Sequence, residues 1–186
     1  ALDLPGAGQM RHLRHLIESR PFLSRVPDQD LAPAGTGSTP GLTHIVYTRV
    51  ADGAAALYID GLRVAGRPIE GSFANWDASF RLGLANELTG DRPWLGEYRL
   101  AAVYDHALAG DEVAARLGAG PGAAPESAVC AYTFTEGEGS RVRDVSRTGE
   151  PLDLTVGDGS AVRWLPGGGL EVTAPVLIAS SGPADK

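Results

Sequence analysis

The segment HIVYTRVADGAAALYIDGLRV, residues 44–64, decides the fold class of this chain. Two runs of apolar and β-branched residues, His44–Arg49 and Ala55–Ile59, have the length and composition of strands. Ala51-Asp52-Gly53 supplies a turn between them. Asp60-Gly61 predicts a tight hairpin after the second run, because Asp and Gly tolerate the positive φ angles of that turn. The segment therefore predicts an antiparallel meander of short strands.

The composition agrees with a β-rich chain and excludes several classes of function. The 186 residues carry 16 Lys and Arg against 23 Asp and Glu, a net charge of −7, and 25 Gly with 13 Pro favour turns over long helices. Nucleic acids are not expected partners, because phosphate contacts need a clustered basic surface. The single Cys130 excludes an internal disulfide, and no apolar stretch is long enough for a membrane span.

Stretches rich in Pro, Gly and Ala divide the chain. One helical segment and two strand-rich segments are predicted, at residues 1–31, 42–120 and 128–186, with linkers at 32–41 and 121–127.

The helical segment contains one amphipathic helix. Apolar side chains recur there at three- and four-residue spacing, at Met10, Leu13, Leu16 and Ile17. His12 and His15 lie on the same predicted helix at a spacing that can hold zinc, but no third ligand follows, so a solvated helix face is favoured.

The two strand-rich segments contain further predicted elements. A short helix is expected over Leu108–Leu117, ended by Gly118. Strands are expected at Leu62–Val64, Ser79–Leu84, Leu95–Tyr104, Ala128–Phe134, Leu152–Val156, Ala161–Trp164 and Leu170–Val172.

The order of motifs in segment 42–120 resembles the C-terminal half of a laminin-G-like, concanavalin A-like jelly-roll module. The residues that carry the resemblance are His44–Thr48, Leu57–Gly61, Trp94–Glu97, Val103–Leu108 and Asp111–Val113. This resemblance implies an all-β fold, an antiparallel jelly-roll β-sandwich.

Segment 128–186 resembles the opening half of the same kind of module. Its carrying residues are Ala131–Phe134, Glu136–Gly139, Asp144–Ser146 and Leu152–Leu154. A second half thus precedes a first half, and we expect either a slice across two tandem modules or a permuted, shortened sandwich.

The first thirty residues resemble a different family. Ala1–Met10, Leu16–Phe22 and Val26–Asp28 are similar to the end of the apiosidase-like barrel of secreted glycoside hydrolases. This resemblance implies an upstream catalytic domain as a partner in the parent chain.

Carbohydrate binding needs aromatic faces for sugar rings and polar groups for hydroxyls. Two loop tryptophans have such neighbours: Trp76 beside Asn75 and Asp77, and Trp94 after Arg92. The alternative is that both indoles pack inward as core residues.

A structural calcium ion at the rim is implied by the jelly-roll resemblance, because carboxylates supply hard oxygen ligands. The candidates are Asp144, Glu136 and Asp105. The alternative is that such acids cap backbone groups of their own turns.

No catalytic residue is predicted. Glu87 follows Asn86, as the acid does in many barrel glycosidases, but no second carboxylate can be identified and a loop-anchoring role is favoured. We therefore expect a non-catalytic, extracellular module that binds a polysaccharide or other glycan, or serves adhesion, within a carbohydrate-active protein. A fragment of a glycoside hydrolase and a structural spacer are the alternatives.

Overall fold

The computed structural model describes residues 41–71 and 79–184. Predictions for residues 1–40, which include the amphipathic helix with His12 and His15, lie outside the described residues. Asn75, Trp76 and Asp77 lie outside them as well.

Within the described ranges, the chain forms twelve short strands, one α-helix and one 3-10 turn, and every ladder is antiparallel. The prediction of an all-β, concanavalin A-like sandwich architecture is confirmed. The elements are β1 Ile45–Arg49, β2 Ala54–Ile59, β3 Leu62–Pro68, β4 Gly83–Leu84, β5 Gly96–Tyr98, β6 Ala101–Val103, α1 Gly110–Ala119, β7 Cys130–Tyr132, β8 Arg141–Val142, β9 Leu154–Val156, the 3-10 turn Gly159–Ala161, β10 Val162–Trp164, β11 Leu170–Val172 and β12 Ile178–Ser180.

The meander predicted from residues 44–64 forms the sheet β1-β2-β3. Asp60 and Gly61 have φ angles of 48° and 79°, the left-handed pair that the Asp-Gly sequence predicts for a tight hairpin turn. The start of β1 is held to this turn, because the Asp60 N–H donates to the His44 carbonyl and the His44 N–H donates to the Asp60 carboxylate, both at 2.8 Å.

Strands from the two strand-rich segments share their ladders. β4 pairs with β12, β5 with β11 and β6 with β7, so residues 83–103 are hydrogen-bonded to residues 130–180. The remaining order is β12-β9-β8 in one sheet and β10-β11 in another. Either segment alone would leave these strand edges unpaired.

The main hydrophobic core is also built by both segments. Segment 42–120 contributes Ala85 and Val103. Segment 128–184 contributes the largest fully buried side chains of this core, which are Tyr132, Phe134, Leu154, Leu170 and Ile178. Cys130 is fully buried and forms no disulfide, in agreement with the prediction from its sequence context.

Some element boundaries differ from prediction. The single strand expected over Leu95–Tyr104 is wrong, because β5 and β6 pair with partners in different sheets and the chain bends between them at Arg99. Gly118 does not end the helix. Gly120 ends it instead, with a φ of 75° and its N–H on the Leu117 carbonyl.

Replacing a central core residue tests the shared architecture. Ile178 is 0% exposed on β12, which pairs with β4 on one side and β9 on the other. We expect Ile178→Ala to lower the free energy of unfolding by about 2–5 kcal/mol, because it leaves a cavity in the main hydrophobic core. Denaturant unfolding measures the change. Leu62→Ala, at a side chain 72% exposed, is the control and should change stability by less than about 0.5 kcal/mol. Equal losses in both variants would contradict this core assignment.

Candidate functional site

A cleft of about 420 Å³ lies between β1 and the chain that runs through β5 and β6. Residues 42–49 line one side, most of residues 97–106, without Ala101 and Asp105, line the other, and Trp94 also borders the cleft. The end of α1 and residues 119–125 line it further. This volume falls within the range of about 300–1,000 Å³ that is typical of small-ligand sites.

Trp94 is fixed by a series of aromatic contacts that leads into the core. Its ring centroid lies 4.6 Å from that of Tyr98 in a tilted arrangement, and Tyr98 stacks on the buried Phe134 at 5.5 Å. The Tyr98 hydroxyl accepts the Ala85 N–H at 3.1 Å. Trp94 nevertheless remains 43% exposed, so a rigidly held indole borders the cleft.

Glycine at position 96 is required by this arrangement. A Cβ there would lie 2.6 Å from the Trp94 ring, so any larger residue would displace the indole. Burial raises the pKa of Tyr98 to about 12, with the Ala85 N–H opposing that rise, so its hydroxyl is neutral at physiological pH.

The loop before Trp94 is held by its own side chains. Asn86 accepts the Arg92 N–H at 3.0 Å and donates to the Gly90 carbonyl at 3.2 Å. The Glu87 carboxylate lies 3.3 Å from the Arg92 guanidinium. The backbone N–H of Trp94 donates to the Ala85 carbonyl at 2.8 Å.

These contacts bear on two sequence predictions. Arg92, predicted to contact a ligand with Trp94, pairs with Glu87 and is not among the residues that line the cleft. Glu87 makes the loop-anchoring contact that was favoured over catalysis.

An aromatic and charged group lies where the wall formed by residues 97–106 meets the end of α1. Tyr104 and His106 meet edge to face at 5.8 Å, and the Arg116 guanidinium lies 5.9 Å from the Tyr104 ring centroid. The His106 Nδ1 is 2.9 Å from the Asp105 carboxylate. Tyr104, His106 and Arg116 were not predicted as ligand contacts, because Arg116 on α1 meets Tyr104 only in the folded chain.

Arg99 ties this wall to the C-terminal segment. It donates to the Glu97 carboxylate and to the Gly168 carbonyl. Gly169 leaves room for it, because a Cβ at that position would lie 2.9 Å from the Arg99 side chain. Glu97 and Arg99 therefore line the cleft as a fixed pair of opposite charges.

His44 is the histidine on the β1 wall of the cleft. Its Nδ1 is buried without a hydrogen-bond partner among the described residues. Loss of solvent lowers the pKa of His44, and the nearby Asp60 carboxylate partly opposes this. The ring is therefore neutral at physiological pH.

The three predicted calcium ligands have separate roles in the described structure. Asp144 accepts the N–H groups of Ala131 and Ser146 at one oxygen and of Leu152 at the other. Glu136 accepts the Arg143 N–H at 2.7 Å, and its second oxygen is buried without a hydrogen-bond partner in this part of the chain.

Asp105 contacts His106 instead of either of the other candidate ligands. No group of three or more His, Cys, Asp or Glu side chains able to hold a metal forms among residues 41–71 and 79–184. The structure therefore does not bring Asp144, Glu136 and Asp105 together as one ligand set, and calcium binding stays a prediction.

The comparisons with known proteins agree with the fold. Residues 25–114 match the laminin-G-type family model described as the concanavalin A-like lectin/glucanases superfamily. This part of the chain resembles a concanavalin A-like module. The match includes β1 to β6 and the β1, β5 and β6 residues that line the cleft. Searches of curated proteins and of solved structures found no match.

The extent of the match differs from the predicted segments. It begins at residue 25, ahead of residue 42, and does not reach segment 128–186. The laminin-G-like resemblance of that segment and the apiosidase-like resemblance of residues 1–28 stay predictions. Among the described residues, no helix has the length and hydrophobicity needed to cross a membrane.

Asp144 should be a stability residue. We expect Asp144→Ala to lower the free energy of unfolding by about 2–3 kcal/mol, because it leaves three partly buried N–H groups without their acceptor. Asp158→Ala, which removes an exposed acceptor for Ser160, is the matched control and should cost less. Urea unfolding compares them, and an unchanged Asp144→Ala midpoint would contradict the role.

Melting with calcium and with chelator, in the unsubstituted chain and in Asp144→Ala, tests the calcium prediction.

His44 should make stability depend on pH. The unfolded chain binds a proton at His44 more tightly than the folded chain, since folding lowers its pKa from 6.5. Stability from this group is therefore present above pH 6.5 and falls as the pH decreases below it. We expect His44→Gln to show a shallower loss of melting temperature between pH 7 and about pH 5 than the parent. His106→Gln is the control for removal of an imidazole, and parallel curves for the parent and His44→Gln would refute the assignment.

Proposed function

We propose that this chain is a non-catalytic carbohydrate-binding or adhesion module that works outside the cell and takes a saccharide in the cleft beside Trp94. The observation that supports it is the Trp94 indole, which is 43% exposed yet held against Tyr98 and, through it, against Phe134. A preorganised aromatic surface loses little freedom when a ligand binds.

The chemistry of the cleft suits a sugar. The apolar C–H face of a sugar ring can stack on an indole, while its hydroxyls need donors and acceptors at the ring edge. Glu97, Arg99 and His106, which line the cleft together with Trp94, supply both kinds of group. The matched superfamily, which includes lectins, agrees with this ligand class.

Binding without turnover is the better proposal for this chain. The Glu87 carboxylate, the one acid whose sequence context resembles a glycosidase acid, contacts Arg92 and Thr89 within its own loop. Hydrolysis of a glycosidic bond typically needs a pair of carboxylates, one on each side of that bond. In this proposal, any hydrolytic activity belongs to a catalytic barrel upstream in the parent chain.

Removing the Trp94 ring tests the site. We expect Trp94→Ala to weaken retention by a polysaccharide roughly tenfold, because it removes the stacking surface. Affinity electrophoresis in gels that contain xylan, mixed-linkage β-glucan or polygalacturonate measures retention. Leu95→Ala is the matched control, since it removes a neighbouring side chain that is 54% exposed and does not line the cleft.

Three other outcomes would each contradict part of the proposed function. Retention that Trp94→Ala leaves unchanged would reject this cleft, and Trp76→Ala would then test the second predicted tryptophan. Absence of retention of the unsubstituted 186-residue chain by any polysaccharide would favour a structural spacer. Release of reducing sugar by that same chain would contradict a non-catalytic module.

A further inference from the structure

A second tryptophan lies in an open hollow of the C-terminal segment, outside the cleft and outside the residues that match the family model. Residues 137–140 of the turn before β8 line this hollow, together with Gly159, Val162 and Trp164. Nothing in the proposed function uses these residues. We call this surface the Trp164 hollow.

The indole of Trp164 is held in place before any ligand binds. Its Nε1–H donates to the Gly139 carbonyl at 2.9 Å, and its ring packs against the main hydrophobic core. Within β10, Trp164 pairs with Leu170, which is 0% exposed on β11. The ring is therefore partly buried and partly open to the hollow, as a preorganised stacking surface must be.

Glycines leave the space next to this ring unfilled. A Cβ built at Gly137, Gly139 or Gly159 would meet no atom within 4 Å. Gly137 and Gly139 have φ angles of 78° and 81°, where a side chain would be strained, so the turn keeps a bare backbone. The N–H groups of residues 137–140 donate no hydrogen bond to any described residue and are free for a ligand.

The charge of the hollow narrows the class of ligand. Of the described residues that line it, Glu138 is the one charged side chain, and its carboxylate makes no ion pair with the rest of the described chain. A carboxylate accepts hydrogen bonds from hydroxyls and repels other anions. Free N–H donors, the Glu138 carboxylate and the Ser140 hydroxyl as acceptors, and one indole together match the donors, acceptors and C–H faces of a neutral sugar.

We propose that the Trp164 hollow is a second binding site, for a neutral saccharide. The ligand class rests on the proposed function, whereas the hollow is separate from the Trp94 cleft. Two sites on one chain would let a single polysaccharide be held at two points, which raises retention when the spacing of the sites allows it.

Single-tryptophan variants report on each site separately, because the chain has three tryptophans. Trp76→Phe with Trp94→Phe leaves Trp164 as the only indole, and Trp76→Phe with Trp164→Phe leaves Trp94. Each variant is titrated with xylan and mixed-linkage β-glucan as neutral probes and with polygalacturonate as the acidic one, and acrylamide quenching of fluorescence is measured.

We expect the neutral probes to reduce quenching of the lone Trp164 about twofold, since a bound sugar shields the ring. Adding Gly159→Leu should weaken this response roughly tenfold, because the new side chain fills open space in the hollow without backbone strain. Gly182→Leu is the matched control, as its Cβ also meets no atom but does not line the hollow, and it should leave the response unchanged.

The two single-tryptophan variants separate this proposal from the proposed function. A response from lone Trp94 without one from lone Trp164 would overturn the second site and leave the cleft intact. Silence from both would overturn both. A Trp164 response that persists in Gly159→Leu, or that is as strong with polygalacturonate, would reject the hollow or its preference for neutral sugars.

Discussion

The pairing of β5 with β11 is the interaction on which most of this structure depends. It aligns Tyr98 with Leu170, joins a strand of segment 42–120 to the C-terminal segment, and places the Tyr98 ring against Phe134. Because Tyr98 also supports Trp94, the same pairing builds the core and positions one edge of the cleft. Without it, β5 would have no strand partner and β11 would keep only β10. Strands of three residues are too short to be stable without such partners.

The cleft and the Trp164 hollow follow a common design. In each, an indole packs toward the hydrophobic core and has glycine beside it. A side chain at Gly96 would displace the Trp94 ring, and side chains at Gly137, Gly139 or Gly159 would occupy the open space next to Trp164. They differ in charge. The charged residues that line the cleft are Arg49, Asp60, Glu97, Arg99 and Arg116, whereas Glu138 alone carries charge at the hollow among the residues described there. This difference gives each site its own expected preference among saccharides.

Local patterns predicted much of the fold because they act within a few residues. The Asp60-Gly61 turn, β1, β2 and β11 were read directly from composition and alternation. The strand expected over Leu95–Tyr104 failed because a bend at Arg99 is decided by two different ladder partners far away in sequence. β12 was not predicted, because its pairing with β4 and β9 also joins residues far apart in sequence. Ile178 and Ser180 on this strand are fully buried.

The sequence by itself determined the all-β class, the tight turn at Asp60-Gly61 and the candidacy of Trp94. Each of these depends on neighbouring residue types and on backbone preferences that do not need a partner. Only the tertiary structure decided that Arg92 turns to Glu87, that Asp144 serves three backbone N–H groups, and that Tyr104, His106 and Arg116 meet at the cleft. Such contacts join residues whose separation along the chain carries no signal of their proximity, and packing alone selects among their possible partners.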